Sequence, residues 1–257
     1  MFGLPVIADP LFYAVAIPAV LMVGITKTGV GGSNALGVSL MSFVIGVPQA
    51  TAILLPILCL TDLFGLWVFR GKWDWRNLKI LLPGATVGMI VGTLTFRYLD
   101  SAAVKGLVGL VAIWFAVAQF QPLIRKRVVV PAGRSALKGS FWGAVSGFTS
   151  FISHAGQPPY SIFMIPQRLD KEVFLGTTAF FFAYVNYFKL VPFWWLGQLN
   201  LANVSTSFIL VPLIPVGLVI GMWIQRKLSA DTFYRVVLIL LAVTGVKLIF
   251  DAAMELI

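Results

Sequence analysis

The sequence predicts an all-α polytopic membrane protein, and its composition gives the first reason. Of the 257 residues, 59% are hydrophobic and 11% are charged, against about 45–50% and about 25% in soluble domains. Ten apolar segments separated by short polar loops make up most of the chain, which is the pattern that a lipid bilayer imposes. The basic loop residues behind the net charge of +10 fit anionic lipid headgroups better than nucleic acid.

Two polar breaks interrupt the apolar segments. The first lies between Thr26 and Asn34, and the second lies between Thr149 and Pro159. Each break mixes glycine or proline with hydroxyl and amide side chains and one ionisable residue. The only long hydrophilic linker, residues 122–136, divides the chain between them.

The two halves predict a pair of repeats, residues 1–121 and residues 137–257. The pattern of Pro83, Gly88 and Gly92 recurs 129 positions later as Pro212, Gly217 and Gly221. Each G-x-x-x-G pair allows two membrane helices to approach closely. The order of features also matches, so we expect each repeat to hold a broken or re-entrant helix hairpin followed by three transmembrane helices.

The loop charges predict that the repeats are inverted. If each break re-enters the membrane, 14 of the 16 lysines and arginines in the loops fall on the side of the linker. If each break crosses, the split is 9 to 7. The positive-inside rule favours re-entrant hairpins, with both termini outside and residues 122–136 in the cytoplasm.

Inverted repeats with interrupted helices are typical of secondary transporters, whose substrate sites lie near the membrane midplane. Backbone groups freed in a break must line protein or water rather than lipid. We therefore expect the two breaks to meet at one substrate site, with the lipid bilayer and a small anion as partners. The sequence leaves a monomer and a homodimer both open.

Lys27 is the ionisable residue of the first break, and we predict that it contacts an anionic substrate. The alternative is a lysine that reaches the membrane surface. Ser33 and Asn34 follow at an expected helix N-terminus, where backbone N–H groups attract anions. They could equally cap their own helix.

In the second break, the equivalent candidates for substrate binding are Ser153, His154 and Gln157. His154 is the only histidine, so it is also a candidate for proton coupling, with a purely structural role as the alternative. Asp62, an acidic residue well inside an apolar run, is the second proton-coupling candidate. It could instead form an ion pair with a lysine.

Two further residues complete the predicted site. Lys189 lies on the helix equivalent to that of Asp62, and it is either the ion-pair partner of Asp62 or a second anion contact. Thr177 is a weaker substrate-binding candidate, because its hydroxyl could simply bond within its own helix.

No enzyme signature accompanies these residues. The sequence has no cluster of cysteines and histidines spaced for a metal, no phosphate-binding glycine loop and no set of serine, histidine and acid with a plausible base. We therefore expect neither an enzyme, nor a metal site, nor a cofactor. The single cysteine, Cys59, excludes a disulfide within the chain.

Long motifs in both halves resemble the TauE/SafE sulfite exporter family, also called the 4-toluene sulfonate uptake permease family. They read L-L-P-I-L-C-L-T-D-L-F-G-L-W-V-F-R-G-K-W-D-W-R-N from Leu54 and S-F-I-S-H-A-G-Q-P-P-Y from Ser150. The glycine-rich break motif of that family is reduced here to S-H-A-G-Q in the second break, so substrate choice could differ.

The resemblance implies export of a small sulfur-containing anion, sulfite or an organosulfonate such as sulfoacetate, across a bacterial inner membrane. Proton-coupled alternating access is the expected mechanism. The alternative is a passive anion channel with the same substrate class.

Overall fold

The computed structural model describes residues 6–7, 9–29, 35–42, 44–96, 98, 101–124 and 132–255. Within these ranges the chain is helical and contains no strand. The helices of the first half are α1 (Pro10–Gly29), α2 (Ala35–Met41), α3 (Val47–Val68), α4 (Trp75–Thr95) and α5 (Ser101–Ile124). The helices of the second half are α6 (Ala136–Ser153), α7 (Gln157–Met164), α8 (Lys171–Trp195), α9 (Leu201–Leu210), α10 (Ile214–Lys227) and α11 (Ala230–Glu255).

Six stretches of described helix are long and apolar enough to cross a membrane. They are Pro10–Lys27, Val47–Val68, Trp75–Thr95, Lys171–Trp195, Leu201–Ile224 and Arg235–Met254. The fifth combines α9 and α10, which are joined by the 3-10 turn Val211–Leu213. Large apolar side chains such as Trp67, Leu94 and Val191 are exposed on these helices. Apolar side chains exposed on such helices contact lipid favourably. The chain is therefore a multi-pass membrane protein, as its composition predicts.

Polar side chains mark where several helices begin. Asp74 accepts hydrogen bonds from the backbone N–H groups of Arg76 and Asn77, and so caps α4. Asn200 accepts from the N–H of Asn203 at the start of α9. In both halves a capping residue therefore stands three positions before a buried asparagine. These caps satisfy N–H groups that have no partner within the helix.

Both hairpins have one long arm and one short arm. In the first half, α1 has 20 residues and α2 has 7. In the second half, α6 has 18 residues and α7 has 8. The first break begins later than the sequence indicated, because α1 continues through Lys27 to Gly29, and residues 30–34 lie outside the described part. The second break is confined to residues 154–156.

The most extensive helix contacts join one half of the chain to the other. Helix α4 packs on α6, α5 on α11, α1 on α10 and α3 on α8. By their order in the chain, α1 corresponds to α6, α3 to α8, α4 to α9 and α10 together, and α5 to α11. The α1–α10 contact then corresponds to the α6–α4 contact. The α3–α8 and α5–α11 contacts each join a helix to its own counterpart.

Residue pairs across these contacts give the helix directions. Between α3 and α8, Asp62 contacts Asn186 while Cys59 contacts Tyr187, and Gly65 lies against Ala179. The numbers run in opposite directions, so these two helices are antiparallel. Between α5 and α11 the direction is also antiparallel, since Gly106 faces Ala252 and Gly109 faces Gly245 and Ile249.

Helices α4 and α6 are parallel and lie in backbone contact. A Cβ atom added to Gly88 would lie 1.9 Å from the carbonyl oxygen of Ala144, and one added to Gly84 would lie 2.2 Å from that of Ser140. In the α1–α10 pair, a Cβ atom on Gly24 would lie 2.9 Å from the Cα atom of Gly217. Gly88 and Gly217, one in each half of the chain, therefore allow the close helix approach that the G-x-x-x-G spacing predicts.

Candidate functional site

Buried polar and charged side chains collect where α3 crosses α8, together with the ends of α1 and α6. Asp62 of α3 and Lys189 of α8 are both fully buried, and His154 is 2% exposed. On α3 the cluster extends from Thr51, which contacts His154, to Asp62. This is about 16 Å at a rise of 1.5 Å per residue. A buried charge is costly unless it is paired or functional, so this cluster is the candidate site.

The first part of the cluster is an ion pair between Lys27 and Asp62. Oδ1 of Asp62 meets the ammonium of Lys27, and Oδ2 accepts a hydrogen bond of 2.7 Å from Nδ2 of Asn186. The ammonium also lies 5.9 Å from the centre of the Phe182 ring, within range of a cation–π attraction. Three helices, α1, α3 and α8, are therefore joined through one carboxylate.

The second part of the cluster surrounds Lys189. Its ammonium lies 3.1 Å from the carbonyl oxygen and 3.1 Å from the hydroxyl of Ser150, and 2.7 Å from Nδ1 of His154. An ammonium has three N–H groups, and three acceptors meet them here. Among the described residues, no carboxylate lies within 4.0 Å of this nitrogen, so its direct partners are three neutral hydrogen-bond acceptors.

The contacts of His154 define its tautomer. Nε2 lies 3.1 Å from the carbonyl oxygen of Thr51, which can only accept, so Nε2 carries the proton. Nδ1 is then free to accept from the ammonium of Lys189, as in a neutral imidazole. The backbone of His154 is left-handed, with φ of 53°, and its N–H caps α6 by donating to Ser150. The break thus turns its side chain toward α3 and α8.

The second break is closed by hydroxyl groups from the preceding helix. Ser146 Oγ donates to the carbonyl of Gly156 at 2.7 Å, and Thr149 Oγ1 lies 3.0 Å from the carbonyl oxygen of Ala155. A Cβ atom on Gly156 would lie 2.7 Å from the carbonyl oxygen of Ser146. The bond from Ser146 satisfies a carbonyl group that the interrupted helix leaves without a partner.

The structure corrects one expectation about the charges. Lys189 is not the ion-pair partner of Asp62, because that place is taken by Lys27 at the end of α1. The Lys27 side chain is 7% exposed, so it points into the bundle and does not reach the membrane surface. The direct contact of Lys27 with an anion stays a prediction. Ser33 and Asn34 lie outside the described residues.

The remaining predicted residues lie at different distances from the cluster. Ser153 is buried on the last turn of α6 and lies 3.5 Å from the carbonyl oxygen of Thr149. Gln157 begins α7 and donates to Ser161. Thr177 donates to the carbonyl of Val173 and accepts from the N–H of Asp74. It lies about 18 Å from Lys189 along α8 at 1.5 Å per residue. The substrate roles of all three stay predictions.

Two members of the cluster were not among the sequence candidates. Asn186 and Ser150 are 1% and 2% exposed, and each contacts one of the buried charges. The signal for Asn186 was its spacing, because it precedes Lys189 by three positions and therefore shares its helix face. Ser150 carried no comparable signal, since serines recur along α6 at Ser140, Ser146 and Ser153.

A multi-pass helical protein with a charged cluster buried between its two halves has the organisation of a membrane transporter. The model of the sulfite exporter TauE/SafE family matches residues 16–248. The chain therefore belongs to this family of membrane transporters. Comparison with curated proteins and with solved structures gave no match.

Proposed function

We propose that this protein is a secondary transporter that exports a small sulfur-containing anion across a bacterial inner membrane. The substrate is sulfite or an organosulfonate such as sulfoacetate, and transport is coupled to protons by alternating access. The observation that carries the proposal is the buried ammonium of Lys189, which has no carboxylate partner among the described residues and lies where the two halves cross. An anion brought to it would neutralise a charge that is otherwise expensive to bury.

The anion chemistry follows from the donors. In the described conformation the polar groups bind one another, so an arriving anion replaces Ser150 and His154 as the acceptors around the Lys189 ammonium. Sulfite and sulfonate groups present anionic oxygen atoms that accept hydrogen bonds, and the ammonium of a lysine only donates them. Bonds between an ammonium and an anionic oxygen are charge-assisted and about twice as strong as neutral ones. Ser33, Asn34, Ser153, Gln157 and Thr177 belong to the same proposal as further substrate contacts.

The helix directions support inverted repeats with re-entrant hairpins. Each full crossing reverses the chain, so if the α6–α7 hairpin crossed once, α3 and α8 would run parallel. They are antiparallel, as are α5 and α11. That direction fits a hairpin that returns to the side it entered. It also fits a two-fold axis in the membrane plane, which reverses every helix relative to its counterpart.

Proton coupling is assigned to Asp62 and His154. In the short contact between Lys189 and His154, only one of the two nitrogens can supply the shared hydrogen. When an anion accepts the hydrogen bond of the Lys189 ammonium in place of His154, Nδ1 of His154 loses its donor and becomes free to accept a proton. Asp62 lies in the same cluster, paired with Lys27. Anion and proton binding are therefore linked through the same set of contacts.

Flux measurements in reconstituted proteoliposomes test the proposal. We expect an imposed pH gradient to drive sulfite or sulfoacetate against its concentration gradient, and Lys189→Met to abolish this flux. Lys72→Met is the matched control, because Lys72 forms an exposed ion pair with Glu172. Flux that only ever runs down the anion gradient and ignores pH would indicate a passive channel. Absence of flux for every sulfur anion would contradict both.

A further inference from the structure

Asp62 interacts electrostatically with both Lys27 and Lys189 but forms an ion pair only with Lys27. Lys27 takes Oδ1, whereas Oδ2 accepts from the amide of Asn186 rather than from an ammonium. Asn186 and Lys189 are three positions apart on α8, so their side chains project from the same face on adjacent turns. The amide group thus lies on the same helix face as the Lys189 ammonium. It donates a hydrogen bond to the carboxylate oxygen to which Lys189 could otherwise donate.

The physical consequence concerns the charge of Lys189. A buried carboxylate oxygen without a donor is costly, and the next donor along the same face of α8 is that ammonium. The amide of Asn186 satisfies the oxygen without adding a charge. Lys189 is left with the carbonyl and hydroxyl of Ser150 and with His154, all of which are neutral acceptors. Its positive charge stays available to an anion.

We infer that Asn186 is a positioning residue for the anion site, because it holds Asp62 on Lys27 and keeps the carboxylate away from Lys189. The inference rests on the proposed function and divides the two lysines by role. In place of the anion contact that the sequence predicts for it, Lys27 acts on Asp62, and Lys189 binds the sulfite or sulfonate group. Losing either Asn186 or Lys27 lets Asp62 turn to Lys189 and compete with the anion.

Equilibrium binding of radiolabelled sulfite to the purified protein tests this division. We expect Asn186→Leu, which keeps the side chain size but removes the amide, to raise the Kd by about ten- to a hundredfold, the range of a charge-assisted hydrogen bond. The triple variant Asn186→Leu, Asp62→Asn, Lys27→Met removes the competing carboxylate and balances the charges. Its Kd should return to within about threefold of the wild-type value. Coupled flux should not return, because Asp62 is a proton-coupling candidate.

A second pair of variants keeps the test valid if Asn186→Leu does not fold. Lys27→Met alone should raise the Kd, whereas Lys27→Met with Asp62→Asn should restore it. If Lys27 itself bound the anion, the double variant would stay weak, and the inference would be overturned. An unchanged Kd in Asn186→Leu would overturn it as well. A wild-type protein that binds and transports no sulfur anion would instead refute the proposed function, and this inference with it.

Discussion

Lys189 donates to His154 at 2.7 Å, and this contact ties α8 to the break that follows α6. The ion pair between Lys27 and Asp62 does the same in the first half, where it ties α3 to the end of α1. Each half therefore fastens its hairpin to its next long helix through a lysine. The lysine lies on the hairpin in the first half and on the long helix in the second. Both halves therefore join the same two elements, but they do so with different residues.

Stability should depend on the buried ion pair far more than on an exposed one. Lys27→Met removes the ammonium that pairs with Asp62, and removing one partner of a buried pair costs about 3–5 kcal/mol; a new contact of Asp62 with Lys189 would recover only part of this. Lys72→Met breaks the pair with Glu172, whose side chain is 55% exposed, and should cost at most about 1 kcal/mol. Thermal unfolding in detergent compares the two. Equal losses would mean that Lys27 and Asp62 are solvated in the protein.

The proposed role of His154 in proton coupling predicts a specific behaviour of His154→Asn. Asparagine tolerates the left-handed backbone that His154 adopts, and its amide does not titrate. We expect sulfite exchange at equal pH to persist while acceleration by a pH gradient is lost. Isotope exchange and gradient-driven uptake in the same vesicles measure the two activities. A variant that still responds fully to the gradient would remove His154 from the coupling mechanism.

The proposed inverted topology predicts which loops are reached from each side of the membrane. In a Cys59→Ala background, Gly133→Cys should react with an impermeant maleimide only after cells are opened. Leu201→Cys should react in intact cells. A Cβ atom at Gly133 meets nothing within 4 Å, whereas Ser135 caps α6, so Gly133 is the safer position for the label. Labelling of Gly133→Cys from outside would contradict the inverted arrangement.

The contact between α4 and α6 predicts a large effect of one methyl group. Gly88→Ala would place a Cβ atom 1.9 Å from the carbonyl oxygen of Ala144, so the two helices must separate. We expect a loss of about 1–3 kcal/mol, typical of overpacking. Gly133→Ala, which adds the same methyl group in open space, is the control. Similar melting temperatures for the two variants would show that the helices adjust without cost.

The sequence predicted the helical membrane fold because lipid imposes apolar segments of nearly fixed length. It also singled out Lys27, Asp62, His154 and Lys189 as candidates for substrate binding or proton coupling, since buried ionisable residues are rare in membranes. It could not predict which lysine pairs with Asp62. Both are close enough in principle, and the choice depends on where α1 ends relative to α3. Nor did it single out Asn186, because a single amide in an apolar run is usually unremarkable until its partner is known.

The contact between Gly24 and Gly217 bears on how the protein is made. The two glycines are separated by 193 positions, which a ribosome takes about 10–40 s to add at about 5–20 residues per second. During that interval α1 is already synthesised, but the face that will meet α10 has no protein partner. Lipid or an insertion factor must cover that face in the meantime. A chain whose synthesis stopped before α10 would leave this face of α1 without the helix that covers it in the finished protein.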